Sequence, residues 1–367
     1  MDHTFVSGTN SVLSNLEVSI ALDATRAALS EGASAGVIED LSQFLGRLYD
    51  DAVRTDSLAR YRQICLGHSL SSLLREDPFT RRAYEKPRGY PGDAVMLDFI
   101  YRPNQSDASA IGAIIHQATS SRLGTPRSIL WRRECIAGYI AQTVKRVPLA
   151  SIMSVANGHM RELDLIVGDE RVRDATFIAI DSDELSLQEA ARSYGYLDIH
   201  SLPVPLTHLL RERRPPRRFD LIYSAGLLDY LSDRAVAALL QNLFARLNPG
   251  AIVLLGNFAP DTHGRGYLEF MMDWSLIYRD EKDLADIARD TLPPNASYRT
   301  FRDEPGNVVY LEVTCGAPLQ NSCDPHRSEA RNGRIHFGKT SMTGDFRGKA
   351  PGTRHSSIED ADEELET

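Results

Sequence analysis

The sequence predicts an α/β fold: a doubly wound, mostly parallel sheet preceded by a helical zone. Three observations carry the prediction. Between about residues 149 and 315, short apolar runs alternate with helical stretches, as in a parallel sheet covered on both faces. From about residue 11 to 147, apolar residues recur at helical spacing instead. The α/β zone then closes on two apolar runs, 297–301 and 308–313, flanking Glu304-Pro-Gly-Asn307, which reads as a β-hairpin.

In the helical zone, Leu41, Phe44, Leu45 and Leu48 form one stripe, and Ile136, Tyr139, Ile140 and Val144 another. Pro126 stands near the start of that second helix, where a missing N–H costs nothing. Breaks fall at Asp77-Pro78 and at Lys86-Pro-Arg-Gly-Tyr-Pro-Gly-Asp93. Two prolines and two glycines in eight residues predict a stiff, turned loop that presents Arg88 and Tyr90. It reads either as a helix connector or as a lid whose Arg88 faces a carboxylate.

Strands are expected at 150–156, 175–181, 197–203, 219–224 and 251–257. The first leads into Ala156-Asn-Gly-His-Met160, a small-residue turn, and the start of a helix. Twenty-three residues past Gly158, the second strand ends on Asp181. A carboxylate at that position is placed to accept hydrogen bonds from ribose hydroxyls, while small residues let the backbone approach a nucleoside. Ser154, Ala156, Asn157, Gly158 and Asp181 are the candidates on this side, with Asp183 as a helix cap. The fourth strand opens onto Ser224, Ala225 and Gly226, small enough for close approach of a ligand. In the next helix, Val236, Leu239, Leu240, Leu243, Phe244 and Leu247 share a face. Asp233 is expected to cap it and Asn248-Pro-Gly250 to stop it. Beyond the fifth strand, His263 lies in a glycine-flanked loop. Phe270, Trp274 and Ile277 would share the face of a following helix that ends near Arg279.

Bulk properties narrow the classes. The 367 residues accommodate a full α/β domain plus a second unit, with 42% hydrophobic and 25% charged residues, ordinary for a globular protein. A formal charge of −9 argues against a nucleic-acid surface. The four cysteines lack metal-ligand spacing, so no metal site is expected and a reducing compartment is. No signal peptide or membrane span is expected, which points to the cytoplasm. The stretch 316–367, polar and ending in an acidic run, reads as a disordered tail.

A dehydrogenase turn would carry Gly-x-Gly-x-x-Gly, and this one has a single glycine. The arrangement instead resembles the class I S-adenosylmethionine (SAM) methyltransferases, whose first turn follows Asp/Glu-x-Gly-x-Gly-x-Gly. Ser154, Ala156 and Met160 depart from that pattern. The segments 223–231, 256–260, 272–279 and 86–93 are further similar to a bacterial family that makes an extracellular 3-hydroxypalmitic acid methyl ester signal. The resemblance runs from about residue 82 to 313. It implies strand order 3-2-1-4-5-7-6 with the last strand antiparallel, and a cap domain over 1–147. It also implies a SAM-binding domain over 148–315 and SAM as cofactor. The expected activity is methylation of a small acidic or lipid-like metabolite at its carboxylate. A carboxylate needs no base, only donors to orient it; Arg88, Tyr90, Tyr230, Asn257 and Arg279 are the candidates. For a hydroxyl or amine acceptor, His263 or Glu269 would serve as base. A non-catalytic SAM sensor is the alternative of a different class, and the oligomeric state stays open.

Overall fold

A computed structural model describes residues 13–32, 34–102, 108–207 and 217–316; the expected tail beyond Gly316 lies outside them. Eight helices come first: α1 (Asn15–Ser30), α2 (Gly36–Arg54), α3 (Leu58–Gly67), α4 (Ser69–Leu74), α5 (Pro78–Glu85), α6 (Ala94–Tyr101), α7 (Ala110–Gln117) and α8 (Gly124–Arg146). The stripes on α2 and α8 point inward as expected, with Leu41, Leu45 and Leu48 buried on one and Ile136, Tyr139, Ile140 and Val144 on the other. Asp77 caps α5 by accepting from the amides of Phe79 and Thr80, and Pro78 occupies the first helical position.

The sheet follows: β1 (Ser151–Val155), β2 (Thr176–Asp181), β3 (Asp198–Pro203), β4 (Phe219–Ser224), β5 (Leu247–Phe258), β6 (Ala296–Arg302) and β7 (Val308–Cys315). Its order is β3-β2-β1-β4-β5-β7-β6, as expected. Strands β1 to β5 pair in parallel, and β7 runs antiparallel to both β5 and β6. The chain turns back across the sheet between β1 and β4, which pair directly, and such a switch point opens a crevice at the strand ends. The remaining helices are α9 (Glu170–Arg173), α10 (Glu184–Ser193), α11 (Asp233–Phe244), α12 (Arg265–Met271) and α13 (Glu281–Thr291). One apolar cluster joins the N-terminal helices to one sheet face, and a second lies under α11 and α13 on the other. No helix among the described residues is long and apolar enough to cross a membrane.

Four local expectations are corrected. The turn after β1 leads into a 3-10 turn (Arg161–Leu165) rather than an α-helix. Ser232, not Asp233, caps α11, accepting from the Ala235 amide. Asn248-Pro-Gly250 does not end that helix. It lies at the start of β5, where proline is tolerated and the register against β4 shifts. Finally, α12 ends at Met271 and Asp273 takes a left-handed conformation (φ 50°), so residues 272–280 run on without helix. Trp274 and Ile277 therefore do not share a helical face, and Ile277 is exposed.

Gly266 is the contact point of α12 with the N-terminal helices. A Cβ there would stand 2.0 Å from the Leu45 carbonyl oxygen, which belongs to backbone and cannot swing away. Gly266→Ala is expected to cost about 3 kcal/mol of unfolding free energy in urea titration, the upper range for overpacking. A loss below about 1 kcal/mol would mean that the two helices slide apart freely.

Candidate functional site

The turn after β1 shapes the site. Ala156, Gly158 and Met160, three alternate positions, all have positive φ (52°, 53° and 51°). They fall at the three glycine positions of the pattern that the sequence resembles, and two of the three carry side chains here. Each non-glycine residue held so costs about 1–3 kcal/mol. Backbone bonds hold the strain: the Asn157 amide donates to Ile180 O (3.3 Å) and the Met160 amide to Asn157 O (3.2 Å). The Gly158 amide donates to Asp181 Oδ2 at 3.0 Å.

Asp181, at the end of β2, also accepts from the Asp183 amide at 3.0 Å through Oδ1. Burial pushes its carboxyl up, partly offset by these backbone donors. Asp183 caps α10 as expected, accepting from the Leu185 amide.

At the outlet of β4, Ser224 is buried and its hydroxyl donates to Val155 O (2.8 Å), tying β4 to β1. Ala225 and Gly226 face a cavity, and Arg132 of α8 donates through Nη1 to Ala225 O at 3.0 Å. Asp229, in the 3-10 turn Leu228–Tyr230, takes two donors on Oδ1: the Phe258 amide (2.7 Å) and Asn257 Nδ2 (2.9 Å). Desolvation pushes its carboxyl up to about 7.

The loop 86–93 closes over this crevice. Arg88 pairs with Asp183 and Lys86 with Asp273, so the loop is fastened on two sides. Tyr90 reaches the cavity and meets the Tyr230 ring edge-on at 6.4 Å. Tyr230 donates to Pro91 O (2.9 Å) and accepts from Trp274 Nε1 (2.9 Å). Gly92 lies so close that a Cβ would stand 2.5 Å from the Trp274 ring.

These elements enclose a cavity of about 370 Å³, within the range of small-molecule sites. Of the residues expected from the sequence, it brings together Ala156, Asn157, Gly158, Asp181, Ala225, Gly226, Tyr90 and Tyr230. It does not bring in Ser154, Ser224, Arg88, Asn257, His263 or Arg279. Arg88 faces a carboxylate, as expected of a lid, but the carboxylate is the chain's own Asp183. Asn257 and Arg279 are buried behind the cavity. Arg279 donates to Asp233 (2.7 Å), to Leu228 O (3.0 Å) and to Asn257 Oδ1 (2.8 Å). His263 lies away from the cavity, its amide on Asn307 Oδ1. Glu269, the other candidate base, pairs with Arg62.

Several lining residues were not singled out from the sequence, Arg132, Tyr101, Glu162 and Asp229, and Trp274, expected on a helix face, lines the cavity too. Tyr101 and Arg132 come from helices whose pattern signals only packing. Glu162 accepts from the Tyr223 hydroxyl (2.5 Å), and burial raises its carboxyl. Arg161 also lines the cavity but is engaged by Asp98 and Glu189. Among the described residues, Arg132 has no carboxylate within ion-pair distance.

No family model matches the sequence, and no curated protein matches it. Solved structures resemble it in part. A possible exported protein from Bordetella parapertussis aligns with 61% of this chain and 80% of its own, at 16% identity and TM-score 0.49. The magnesium protoporphyrin IX methyltransferase ChlM from Synechocystis, with bound S-adenosylhomocysteine (SAH), aligns with 60% of this chain and 97% of its own, at 14% identity and TM-score 0.38. The N-methyltransferase NodS from Bradyrhizobium japonicum, also with SAH, aligns with 50% and 87%, at 13% identity and TM-score 0.35. At these scores the likeness carries no weight for function.

Asp229 makes stability depend on pH. An unfolded aspartate titrates near about 3.9, whereas the folded carboxyl is pushed up to about 7. Between these values the folded state holds the extra proton, so this contribution to stability is lost as pH rises. In urea unfolding, Asp229→Asn should therefore gain on the wild type from about pH 4 to about pH 7, by up to about 4 kcal/mol, and then level off. A difference that stays flat across that window would show that Asp229 is not desolvated in the folded protein.

Proposed function

We propose that this cavity binds SAM and that the protein transfers its methyl group to a small molecule. The observation that carries the reading is a nucleoside-type carboxylate without a phosphate site beside it. Asp181 stands at the end of β2, next to a turn with left-handed residues at 156, 158 and 160. Dinucleotide sites need a helix N-terminus after that turn to hold the pyrophosphate. Here a 3-10 turn follows, and the first α-helix beyond it has four residues. A nucleoside lacking phosphate, such as SAM, suits that arrangement.

The residues fit the parts of such a donor. Asp181 keeps acceptor capacity for ribose hydroxyls beyond its two backbone bonds. Asn157 Oδ1 is buried with no partner among the described residues and belongs to the cavity wall, so it needs a donor from a ligand. Arg132 is buried without a carboxylate and suits the α-carboxylate of the methionine end. Bound SAM supplies a sulfonium methyl open to in-line displacement. The protein's share is to position the acceptor and exclude water. The loop 86–93, with Tyr90, Tyr230 and Trp274, covers the cavity for that purpose. The helices before Val147 act as a cap that supplies this loop and Arg132.

A carboxylate acceptor, implied by the family resemblance, would need an uncommitted cation. Arg88 and Arg279 are committed to Asp183 and Asp233. Arg132 is taken by the donor in this reading.

Calorimetry with SAH tests the proposal. The wild type should bind it, and Asp181→Asn should weaken binding about 10- to 100-fold, the loss of a charge-assisted pair of hydrogen bonds. Arg132→Lys should weaken SAH about tenfold and leave 5′-methylthioadenosine, which lacks the amino-acid end, unaffected. Absence of SAH binding by the folded wild type would refute the assignment.

A further inference from the structure

We propose that Asp229 is a catalytic residue that receives the proton of the acceptor, and that the acceptor is therefore a hydroxyl or an amine. The inference rests on the SAM reading above and goes beyond it to the acceptor class.

The geometry is asymmetric. Both protein donors to Asp229, the Phe258 amide and Asn257 Nδ2, fall on Oδ1. Oδ2 has no partner among the described residues and stands beside Gly226, 3.5 Å from where a Cβ would be. The residue is 4% exposed, and it lines the cavity. A buried carboxylate fixed by one oxygen and free at the other is oriented toward a donor that the protein does not provide. Arg132 from α8 and Arg279 from the segment after α12 are the cations facing it, and Tyr230 and Tyr278 the phenols. Among the described residues neither arginine forms an ion pair with it within 4.0 Å: Arg132 donates to Ala225 O, and Arg279 to Asp233, Leu228 O, Leu231 O and Asn257 Oδ1.

The charge balance of the wall points the same way. Asp181, Asp229 and Glu162 line it against Arg132 and an Arg161 that is already neutralised. A carboxylate acceptor would meet like charge at Oδ2. A hydroxyl or a neutral amine, each with a lone pair for the methyl carbon, would instead donate to it. In the transfer, the acceptor oxygen or nitrogen forms the new bond to the methyl carbon, and the carbon–sulfur bond breaks with its pair left on sulfur. The proton of the acceptor passes to Asp229 Oδ2, which returns it to solvent after product leaves. Sulfonium charge lost and proton gained are equal. An acid near neutrality in this position serves a base that must take a proton at ordinary pH.

The test uses the full chain with methyl-labelled SAM and a small-molecule extract of the organism that encodes it. The expected labelled product resists mild alkali, as ethers and N-methyl groups do. Its rate should rise with pH through neutrality. Asp229→Asn should lower the rate about 100-fold or more and abolish that rise, with SAH affinity by calorimetry within about threefold of the wild type. Independently of turnover, the infrared difference between the SAH-loaded wild type and D229N should show a protonated carboxyl band that vanishes between about pH 6 and pH 8. Release of the label as methanol by mild alkali identifies a methyl ester and overturns the inference without any variant. So do an unchanged D229N rate, the absence of the carboxyl band, or SAH binding with no labelled product from the extract. Failure of the wild type to bind SAH strikes the SAM reading instead.

Discussion

The hydrogen bond from the Gly158 amide to Asp181 Oδ2 is the contact on which the cavity depends. It crosses from the turn after β1 to the end of β2, the two elements that would grip a nucleoside. Three left-handed residues in five give this turn a conformation that the chain would not choose locally, since two of the three carry side chains. The strain of roughly 2–6 kcal/mol from Ala156 and Met160 has to be offset by surrounding structure. Met160 offsets part of it by burying its side chain, 1% exposed, in the core. Asp181 contributes by accepting from the Gly158 amide, between the two strained residues. The same carboxylate thus shapes the turn and remains available to a ligand, and the two roles cannot be separated by a simple truncation.

A second constraint lies behind the outlet of β4. Arg279 is 2% exposed and donates to Leu228 O, Leu231 O, Asn257 and Asp233. Asn257, fully buried, passes the linkage on to Asp229 and to Ile277 O. A guanidinium buried this deeply is tolerable because its donors are met by carbonyls and a carboxylate. The effect is to hold both ends of the 3-10 turn that carries Asp229 and Tyr230. Polar residues of a segment beside a site need not enter it; here they orient those that do.

That distinction explains what was legible in the sequence. The sheet was, because apolar runs of five to seven residues separated by helical periodicity leave few alternatives, and strands β2 and β4 stand within a residue of their expected bounds. The gathering of Ala156, Asn157, Gly158 and Asp181 on one cavity wall was too, because small residues and a carboxylate at strand ends have a backbone rationale. The acceptor side was not. Arg88, Asn257 and Arg279 carry the right chemistry, but nothing in one dimension tells whether a charged side chain meets a ligand or another side chain of the same protein. Arg132 was hidden in the opposite way, a polar position in a long helix with an ordinary apolar stripe. The helix expected through Phe270, Trp274 and Ile277 failed for a local reason: periodicity continues through Trp274 and Ile277, whereas Asp273 breaks the backbone at a point where Lys86 and the loop 86–93 meet it.

The lid illustrates how shape outweighs charge in this protein. Its ion pair of Lys86 with Asp273 is partly exposed and contributes little, about 0–1 kcal/mol, and that of Arg88 with Asp183 is more sheltered but lies at the rim of the loop. What registers the loop is Gly92, seated against the Trp274 ring and the Tyr230 hydroxyl with no room for a methyl group. Tyr230 completes the fit by donating to Pro91 O and accepting from Trp274, so that all three segments meet at one hydroxyl. A loop registered mainly by steric match and a single hydroxyl, with its ion pairs still reached by solvent, can release without stranding fully buried ions. The methyl-transfer reading proposed above would require such a loop, one that opens for ligand exchange and excludes water while the cavity is occupied.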